Sequence, residues 1–481
     1  MDFSLKTLQH LVSEGCKFCI DTRFVPDDGN VFVALKAQRD GHDFVLDAFA
    51  KGAKYCVVAK SFTLSSLTSD IDLISKLSPK LLHCDSDDVL KSITNVARQK
   101  ADYLHKEGTK IFTITGSVGK TTVKNLTYFL LQKYLAYNKI ASDIYKTQKN
   151  YNNHIGVPLT LFNCGFNLGF LVCEIGMDRA GEIDHLASVI KPDIAIITNI
   201  SDVHRVNFAS TDDIARAKGE CIKYARLASV LNHDCECFDI LQGEALLCGA
   251  RHATTGKSDI SNYVFDKGAT KFTIFNKYKF TISRFLSQEY LVNIALCLRA
   301  CGELGIELDF LQSVNFDDFF NSADMAGRGR EIKLQDFTII DEVYNCSPQS
   351  LANAIQNLAH KDGDKLAIIG DMLELGDVSR QKHEEIFTLL NENKINGVVM
   401  IGEQMRFLYN KFLQANVSEA KIEVYYYQNL TSFLQAHLLD GKLVGFRQRY
   451  DFVLLKASNS MGFAKVVEAL IYDADKSFNK K

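Results

Sequence analysis

The sequence has little that would mark a membrane-bound, secreted or polyanion-binding protein. None of its apolar runs approaches the roughly 18 residues of a membrane span. The N-terminal stretch "MDFSLKTLQHLVSEG" has neither the basic start nor the apolar core of a signal peptide. Lysine and arginine, 55 residues together, nearly balance 58 aspartates and glutamates. We therefore expect a cytoplasmic protein that neither inserts into a membrane nor binds nucleic acid.

The thirteen cysteines also lack the spacing of a metal site. Cys16 and Cys19 form "CKFC", and Cys235 and Cys237 lie in "HDCEC", but neither pair has a second pair at zinc-site distance. In a reducing compartment thiols stay free and pack as small apolar groups. We expect no disulfides and no metal or redox function at these cysteines.

The chain has only five prolines, no internal repeat and no low-complexity stretch, and its 481 residues allow roughly three domains. Strand-like runs "NVFVAL" and "KYCVVAK" come first. "KIFTIT", "LGFLVCEIG" and "PDIAIITNI" then alternate with helical stretches, as do "FTIIDEVY", "KLAIIGDM", "GVVMIG" and "DFVLLKAS" further on, which is typical of parallel α/β sheets. We predict an α/β protein with a small mixed α/β domain (1–106), a parallel-sheet domain (107–318) and a second α/β domain (319–481).

A phosphate-binding loop is present in a shortened form. The stretch "KIFTITGSVGKTTVKNL" contains "GKTT", but Ile114 stands where the pattern G-x-x-x-x-G-K-[ST] has its first glycine. The loop follows an apolar strand and opens a helix, where backbone amides bind phosphate well. Lys120 is expected on the β- and γ-phosphates, and the hydroxyl of Thr121 or Thr122 on magnesium. The predicted nucleotide-binding residues of the loop are Gly116, Ser117, Val118, Gly119, Lys120, Thr121 and Thr122.

Two further polar residues follow predicted strands. Glu174 ends "FLVCEIG", and a glutamate there is costly unless it is paired or bound to a metal. His204 follows the next strand by four residues, so both side chains are expected at the edge where parallel strands place ligand-binding groups. For His204 alone, a loop histidine with ordinary hydrogen bonds is the simpler interpretation.

The short loop "TGSVGKTT" resembles the ATP loop of the Mur ligases, the amide-forming enzymes of peptidoglycan precursor synthesis. Other stretches resemble blocks of the same family, in the same order: "DTRFVPDDGNVFVALKAQRDGHDF", "KTQKNYNNHIGVPLTL", "EIGMDRAGEIDHLASVIKPDIAIITNISDVH", "GRGR", "IIDEVYNCSPQS", "IIGDMLELGDVSRQKHEE" and "LLKASNSMGFAKVVEAL". On these stretches the sequence is identified as a member of the family along nearly its whole length.

The resemblance implies a uridine-nucleotide-binding N-terminal domain, a central P-loop ATPase-like domain and a Rossmann-like C-terminal domain. It implies a monomeric, ADP-forming ligase that adds D-alanyl-D-alanine to UDP-N-acetylmuramoyl-tripeptide through an acyl phosphate. "NYNNHIGVP" and "GDMLELG" favour this member over an amino-acid-adding Mur ligase or a folylpolyglutamate synthetase. The third residue of the tripeptide, lysine or diaminopimelate, stays open.

The resemblance also implies roles for single residues. Lys218, in "DIARAKGECI", matches a lysine that Mur ligases carbamylate, whereas a helical lysine is ordinarily a solvated surface residue. Two magnesium ions are implied, with Thr121, Glu174, His204 and carbamylated Lys218 as ligands. The implied catalytic residues are Lys120, Glu174, His204 and Lys218.

For the rest of ATP, the family pattern places Asn293 near the adenine, Arg328 on phosphate, and Asp341 or Glu342 on the ribose. A surface arginine and an edge-strand charge are the simpler interpretations of Arg328 and Glu342. The sequence departs from the family pattern at Glu289, Tyr290, Val343, Ala457 and Asn459.

Two functions of other classes compete with a ligase. A P-loop kinase or switch ATPase should carry the full five-residue loop spacing and needs no second α/β domain. A silent nucleotide-binding module would require loss of Lys120, Glu174 or Lys218, and all three are present.

Overall fold

The computed structural model describes residues 1–25, 30–201, 207–334, 337–415, 422–439, 442–443 and 449–478. The described residues divide into two compact units. The first contains Met1–Ile200, Asp212–Thr254 and Leu296–Phe310; the second contains the described residues of Ser201–Thr211, Thr255–Ala295 and Leu311–Lys481. The domain boundaries after residues 106 and 318 stay a prediction.

The first unit opens with a parallel sheet in the order β1-β2-β3-β4. Its elements are β1 (Phe18–Cys19), β2 (Asn30–Val33), β3 (Ala53–Val58), β4 (Leu81–His83), and helices α1 (Leu5–Ser13), α2 (Val45–Ala50), α3 (Ile71–Leu77) and α4 (Val89–Lys106). The side chains of Ser4, Asp70 and Asp88 cap α1, α3 and α4 by accepting a hydrogen bond from the amide three residues on. The strands predicted from "NVFVAL" and "KYCVVAK" are confirmed as β2 and β3.

A larger sheet follows in the order β10-β9-β8-β5-β7-β6. Its strands are β5 (Lys110–Thr115), β6 (Asp143–Lys146), β7 (Leu168–Glu174), β8 (Ile194–Ile197), β9 (Ala228–Asn232) and β10 (His252–Thr255). The helices between them are α5 (Lys120–Tyr137), α6 (Gly156–Asn163), α7 (Glu182–Ile190), α8 (Thr211–Gly219) and α9 (Phe238–Leu247). Strands β5 to β9 run parallel, as the apolar runs predicted.

The strand order makes the end of β5 the expected place for a ligand. The chain adds β6 and β7 on one side of β5 and β8 to β10 on the other, so β5 is the switch point of the sheet. Ile114 pairs in register with Glu174 of β7 and Ile196 of β8. The carboxyl ends of the three strands therefore lie side by side.

The sequence did not predict an antiparallel sheet within residues 107–318. It consists of β11 (Ile260–Asp266), β12 (Ala269–Ile274) and β13 (Tyr278–Ile282), and α10 (Gln288–Glu303) and α11 (Phe316–Phe320) follow. Lys267 and Gly268 join β11 to β12 with φ of 50° and 75°. A two-residue turn with positive φ at both positions matches the twist of a hairpin. The stretch "DKGA" is therefore the sequence signal for the hairpin of β11 and β12.

The last sheet is mixed, in the order β14-β15-β21-β16-β17-β18. Its strands are β14 (Arg330–Lys333), β15 (Thr338–Glu342), β16 (Lys365–Gly370), β17 (Gly397–Ile401), β18 (Glu423–Tyr427) and β21 (Phe452–Lys456); only β14 runs antiparallel to its neighbour among these described strands. Around it lie α12 (Pro348–Ala359), α13 (Ser379–Glu392), α14 (Met405–Gln414), α15 (Leu430–His437) and α16 (Ala464–Phe478), with a short hairpin of β19 (Leu438–Leu439) and β20 (Lys442–Leu443).

Apolar residues cover both faces of this sheet. Ile339 and Leu455 belong to the core on one face, and Ile340 and Leu454, their chain neighbours, to the core on the other. Because successive strand residues point to opposite faces, a strand buried on both sides reads as an unbroken apolar run. This is why "FTIIDEVY" and "DFVLLKAS" were recognisable as strands.

All thirteen cysteines carry free thiols. In the described ranges, no helix has both the length and the apolar character to cross a membrane.

Candidate active site

The short loop between β5 and α5 is anchored to the neighbouring strand β8. The amide of Ser117 donates to the carbonyl of Asn199 at 2.7 Å, and Thr198 Oγ1 donates to the carbonyl of Val118 at 2.6 Å. Gly116 and Gly119 adopt φ of 145° and 91°, a region that favours glycine. The loop turns directly from strand into helix and leaves the first amides of α5 at its mouth, where an anion binds well.

Lys120 is the first residue of α5 and folds back over the loop. Its Nζ donates to the carbonyls of Gly116 at 2.6 Å and Ser117 at 3.3 Å. The ammonium therefore lies over the loop carbonyls, and its predicted place on the β- and γ-phosphates stays a prediction.

Glu174 ends β7 as a buried carboxylate, only 3% exposed. Its Oε2 accepts from Thr121 Oγ1 at 2.7 Å, and its Oε1 accepts from Asn152 Nδ2 at 3.0 Å. Lys124 Nζ lies 3.4 Å from Oε2. Burial opposes ionisation, but the charges of Lys124 and Lys120 and the two hydrogen bonds hold the pKa of Glu174 below its ordinary value.

Lys124 and Asn152 are site residues that the sequence analysis missed. Lys124 is one turn beyond Lys120 on the same face of α5 and is 3% exposed. Asn152 also accepts a hydrogen bond from the Gly176 amide through its backbone carbonyl, at 2.7 Å. The available signal was the spacing in "GKTTVK", because a lysine four residues after Lys120 lies on the same face of the helix.

Thr121 and Glu174 supply oxygen donors that suit a magnesium ion. A carboxylate and a hydroxyl are the hard ligands that this ion prefers, and the structure brings them within hydrogen-bonding distance of each other. His204, the other predicted ligand of this edge, lies outside the described residues. Within those residues, no group of three or more histidines, cysteines, aspartates or glutamates could hold a metal ion.

Lys218 is near the end of α8 and is fully buried. Burial, followed by the charge of Lys120, holds the pKa of the Lys218 amine well below the ordinary value for lysine. The structure thus excludes the solvated surface lysine that a helical position ordinarily indicates. A buried amine of this kind favours its uncharged form.

In the second unit, Arg328 and Glu342 line one small cavity of about 70 Å³ together with Arg284 and Tyr290. The Arg328 guanidinium lies 3.5 Å from the centre of the Tyr344 ring. Arg328 and Glu342, which are predicted to contact ATP, therefore share a cavity with Tyr290. Tyr290 is one of the positions at which the sequence departs from the family pattern.

The neighbouring Asp341 has a different environment from Glu342. It is 2% exposed, and its Oδ2 accepts from the Gly327 amide at 2.8 Å and faces Arg330 Nη2 at 3.5 Å. Glu342 lines the cavity and accepts from Lys456 Nζ at 3.2 Å. Asp341 thus holds the turn before β14, while Glu342 is the acidic residue that reaches the cavity.

The remaining predicted position, Asn293, lies half-buried on α10. Glu289, the second residue of the same helix, pairs with Lys257 at 2.8 Å. Arg284 fixes the nearby "GRGR" loop, since its guanidinium donates to the Gly329 carbonyl at 3.0 Å.

A second cavity, of about 590 Å³, opens in the N-terminal segment. His42 lies in its wall, accepts from the Ala59 amide at 3.0 Å through Nε2, and contacts Asp40 Oδ1 at 2.6 Å through Nδ1. Lys36 supplies a cation and Phe62 an aromatic face. The volume is sufficient for a ligand of nucleotide size.

Two family models match the chain. Residues 114–301 match the Mur ligase middle domain, and residues 327–459 match the Mur ligase glutamate ligase domain. Curated proteins named UDP-N-acetylmuramoyl-tripeptide--D-alanyl-D-alanine ligase match it too. The one from Rickettsia prowazekii is 27% identical, and the match covers 94% of this chain and 95% of that protein. The one from Bacillus subtilis is 28% identical, and the match covers 94% of this chain and 92% of that protein.

Solved structures have the same fold. The MurF ligase of Thermotoga maritima in complex with ADP covers 96% of this chain, with 98% of its own length matched, a TM-score of 0.70 and 26% identity. A crystal structure of MurF from Acinetobacter baumannii covers 98% of this chain, with 99% of its own length matched, a TM-score of 0.77 and 20% identity. These matches confirm the predicted three-domain α/β architecture.

Proposed function

Because this chain belongs to the Mur ligase family, we propose that it is an ATP-dependent, ADP-forming ligase that joins D-alanyl-D-alanine to UDP-N-acetylmuramoyl-tripeptide. The observation that carries this proposal is the match along 94% of the chain to ligases named for that reaction. The phosphate loop, Glu174 and Lys218 supply the chemistry that such a reaction needs.

The reaction must activate a carboxylate before an amine can attack it. A terminal carboxylate oxygen of the tripeptide attacks the γ-phosphorus of ATP, ADP leaves, and an acyl phosphate forms. The dipeptide amine then attacks the acyl carbon, and inorganic phosphate leaves as the amide bond forms. In the first step a negatively charged carboxylate must approach the negatively charged γ-phosphate. The main requirement is therefore a set of cations and backbone amides fixed at that phosphate.

The loop and Lys120 meet that requirement. The amides at the start of α5 bind the phosphates, and the Lys120 ammonium, placed over Gly116 and Ser117, moves from these carbonyls onto the phosphoryl oxygens. This exchange stabilises the charge that develops on the transferred group.

We assign a magnesium site to Thr121 and Glu174, with His204 and Lys218 as further ligands. Bound magnesium would supply positive charge that neutralises the phosphates. The chain's own contribution is to hold the donors: Asn152 and Thr121 fix the two oxygens of the Glu174 carboxylate.

Carbamylation of Lys218 fits its burial. An uncharged amine adds carbon dioxide, whereas an ammonium has no lone pair to do so, and the lowered pKa of Lys218 favours the amine. The product is an anion on a long stem, which reverses the charge that the lysine would bring.

We assign the adenine to Asn293, and the phosphate and ribose to Arg328 and an acidic residue of β15. Glu342 is favoured over Asp341 because Glu342 lines the cavity, whereas Asp341 accepts from the Gly327 amide. The cavity at His42 is assigned to the uridine nucleotide. We further propose that the enzyme is a cytoplasmic monomer.

The test is ADP formation with a panel of amines and nucleotide-linked acids. We expect ADP only when both UDP-N-acetylmuramoyl-tripeptide and D-alanyl-D-alanine are present, with poor turnover for single amino acids. ADP formed with a single amino acid would indicate another ligase of the family. ADP formed without any amine would indicate a kinase or ATPase.

A further inference from the structure

Lys124 and Glu174 form a buried ion pair beneath the phosphate loop. Each is 3% exposed, and Lys124 Nζ lies 3.4 Å from Glu174 Oε2. A buried carboxylate without a partner is strongly destabilising, so the protein needs a cation at this point even when no metal ion is bound. Lys124 is that cation.

The pair also fixes where the carboxylate points. Oε1 is held by Asn152, and Oε2 faces both Thr121 and Lys124. Lys124 thus holds the Glu174 carboxylate, a proposed metal ligand, in place. It does so from beside Oε2, the oxygen that accepts from Thr121, which is the other proposed ligand.

The local charges explain what this arrangement does to a metal ion. Two ammonium groups, of Lys120 and Lys124, act on the carboxylate of Glu174. Each of them repels a divalent ion that arrives alone, and Lys124 does so from 3.4 Å beside the carboxylate oxygen. A nucleotide that brings three or four negative charges offsets this repulsion.

We propose that Lys124 is a positioning residue that holds Glu174 ready and keeps the affinity for a divalent metal ion low until a nucleotide is bound. Metal and nucleotide then bind together, and the empty enzyme does not trap a metal ion. This inference rests on the proposed role of Glu174 as a metal ligand.

The experiment measures Mn²⁺ binding by electron paramagnetic resonance and calorimetry without nucleotide. Removing a unit charge a few ångströms from a divalent ion should tighten binding by at least roughly tenfold in Lys124→Met. Mn²⁺ alone should also raise the unfolding temperature of this variant and leave that of the wild type unchanged. Lys124→Arg, which keeps the charge, should behave like the wild type.

Lys133→Met is the matched control, because Lys133 lies on the same helix, nine residues beyond Lys124, and contacts the Phe129 ring. It should bind Mn²⁺ as the wild type does. Unchanged Mn²⁺ affinity in Lys124→Met would overturn the inference. So would a loss of ADP affinity in chelator without a change in Mn²⁺ affinity, since that result makes Lys124 a phosphate contact.

Glu174→Gln separates this inference from the proposed function. If Mn²⁺ binding in the presence of ADP survives in Glu174→Gln, the metal role of Glu174 itself is wrong. If Glu174→Gln loses Mn²⁺ binding in the presence of ADP while Lys124→Met binds Mn²⁺ as the wild type does, only the inference about Lys124 is wrong. Should Lys124→Met not fold, Lys124→Gln takes its place: tighter binding of Mn²⁺ without ADP supports the inference, and an affinity equal to that of the wild type overturns it.

Discussion

Thr198 occupies the space that a side chain at position 116 would need. A Cβ on Gly116 would overlap Thr198 Oγ1, and the φ of Gly116 is 145°. The hydroxyl is not free to move away, because it donates to the Val118 carbonyl. The short phosphate loop is therefore shaped by the end of β8 as well as by its own glycines.

Gly116→Ala should destabilise the fold and abolish nucleotide binding. The overlap and the strained backbone should lower the free energy of unfolding by about 1–3 kcal/mol. ADP binding, followed by calorimetry, should be lost because the loop amides shift. Gly243→Ala is the control, since a Cβ there meets nothing within 4 Å and lies within helix α9; it should keep ADP binding and gain up to about 1 kcal/mol. Normal ADP affinity in Gly116→Ala would contradict the anchoring role of Thr198.

Lys120→Ala should abolish ligation while the fold stays intact. Loss of the cation on the transferred phosphoryl group should slow turnover by about 100-fold to 1000-fold. The chain should still fold, with a free energy of unfolding lower by about 1–3 kcal/mol, because the two hydrogen bonds to loop carbonyls are removed. Lys133→Ala, on the same helix, should turn over normally. Unchanged turnover of Lys120→Ala at saturating ATP would remove Lys120 from the mechanism.

The sequence predicted those parts of the site that depend on local pattern. The loop, Lys120 and the strands that carry Glu174 and Asp341 follow from apolar runs and a glycine motif, which act over a few residues. The Glu174 contact with Asn152 depends on how β7 meets a loop 22 residues earlier in the chain, and no local pattern encodes it. The choice between Asp341 and Glu342 needed the structure because neighbouring strand residues point in opposite directions.

His383 should make the stability of the second unit depend on pH. Its Nε2 accepts from the Met372 amide at 3.1 Å, and its Nδ1 donates to the Ser379 carbonyl at 2.7 Å, so the neutral ring anchors the "GDMLELG" loop. Burial lowers the pKa of His383. Because the unfolded chain binds the proton more readily, stability is complete above about pH 6.5 and is lost as the pH falls below it.

We expect the free energy of unfolding in urea to fall between about pH 7 and pH 5.5, by about 1.4 kcal/mol for each unit of pKa depression. His383→Gln should show a shallower dependence in that range. Asp371, whose pKa is raised by burial, acts in the opposite direction, so the difference between wild type and variant isolates the histidine. Parallel pH profiles would contradict the role of His383.

Lys218 provides the sharpest test, because the carbamate and the free lysine have opposite charge. If Lys218 acts as an anionic carbamate, Lys218→Ala removes a negative oxygen pair from a fully buried place. Activity should be lost, and a small carboxylic acid in the buffer should restore part of it by filling the space with an anion. Alkylamines should not restore it. Lys223→Ala is the control, since Lys223 is half-exposed and pairs with Asp184.

The alternatives predict other results for the same variant. A lysine that contacts phosphate as a cation predicts rescue by alkylamines and none by acids. A lysine that only fills space predicts loss of stability without rescue by either additive, and urea unfolding of Lys218→Ala would show that loss directly. Wild-type enzyme should also lose activity in buffer freed of carbon dioxide and recover it when bicarbonate is added, because the uncharged buried amine exchanges its carbon dioxide with solution. Rescue by amines, or normal activity in Lys218→Ala, would remove the carbamate from the mechanism.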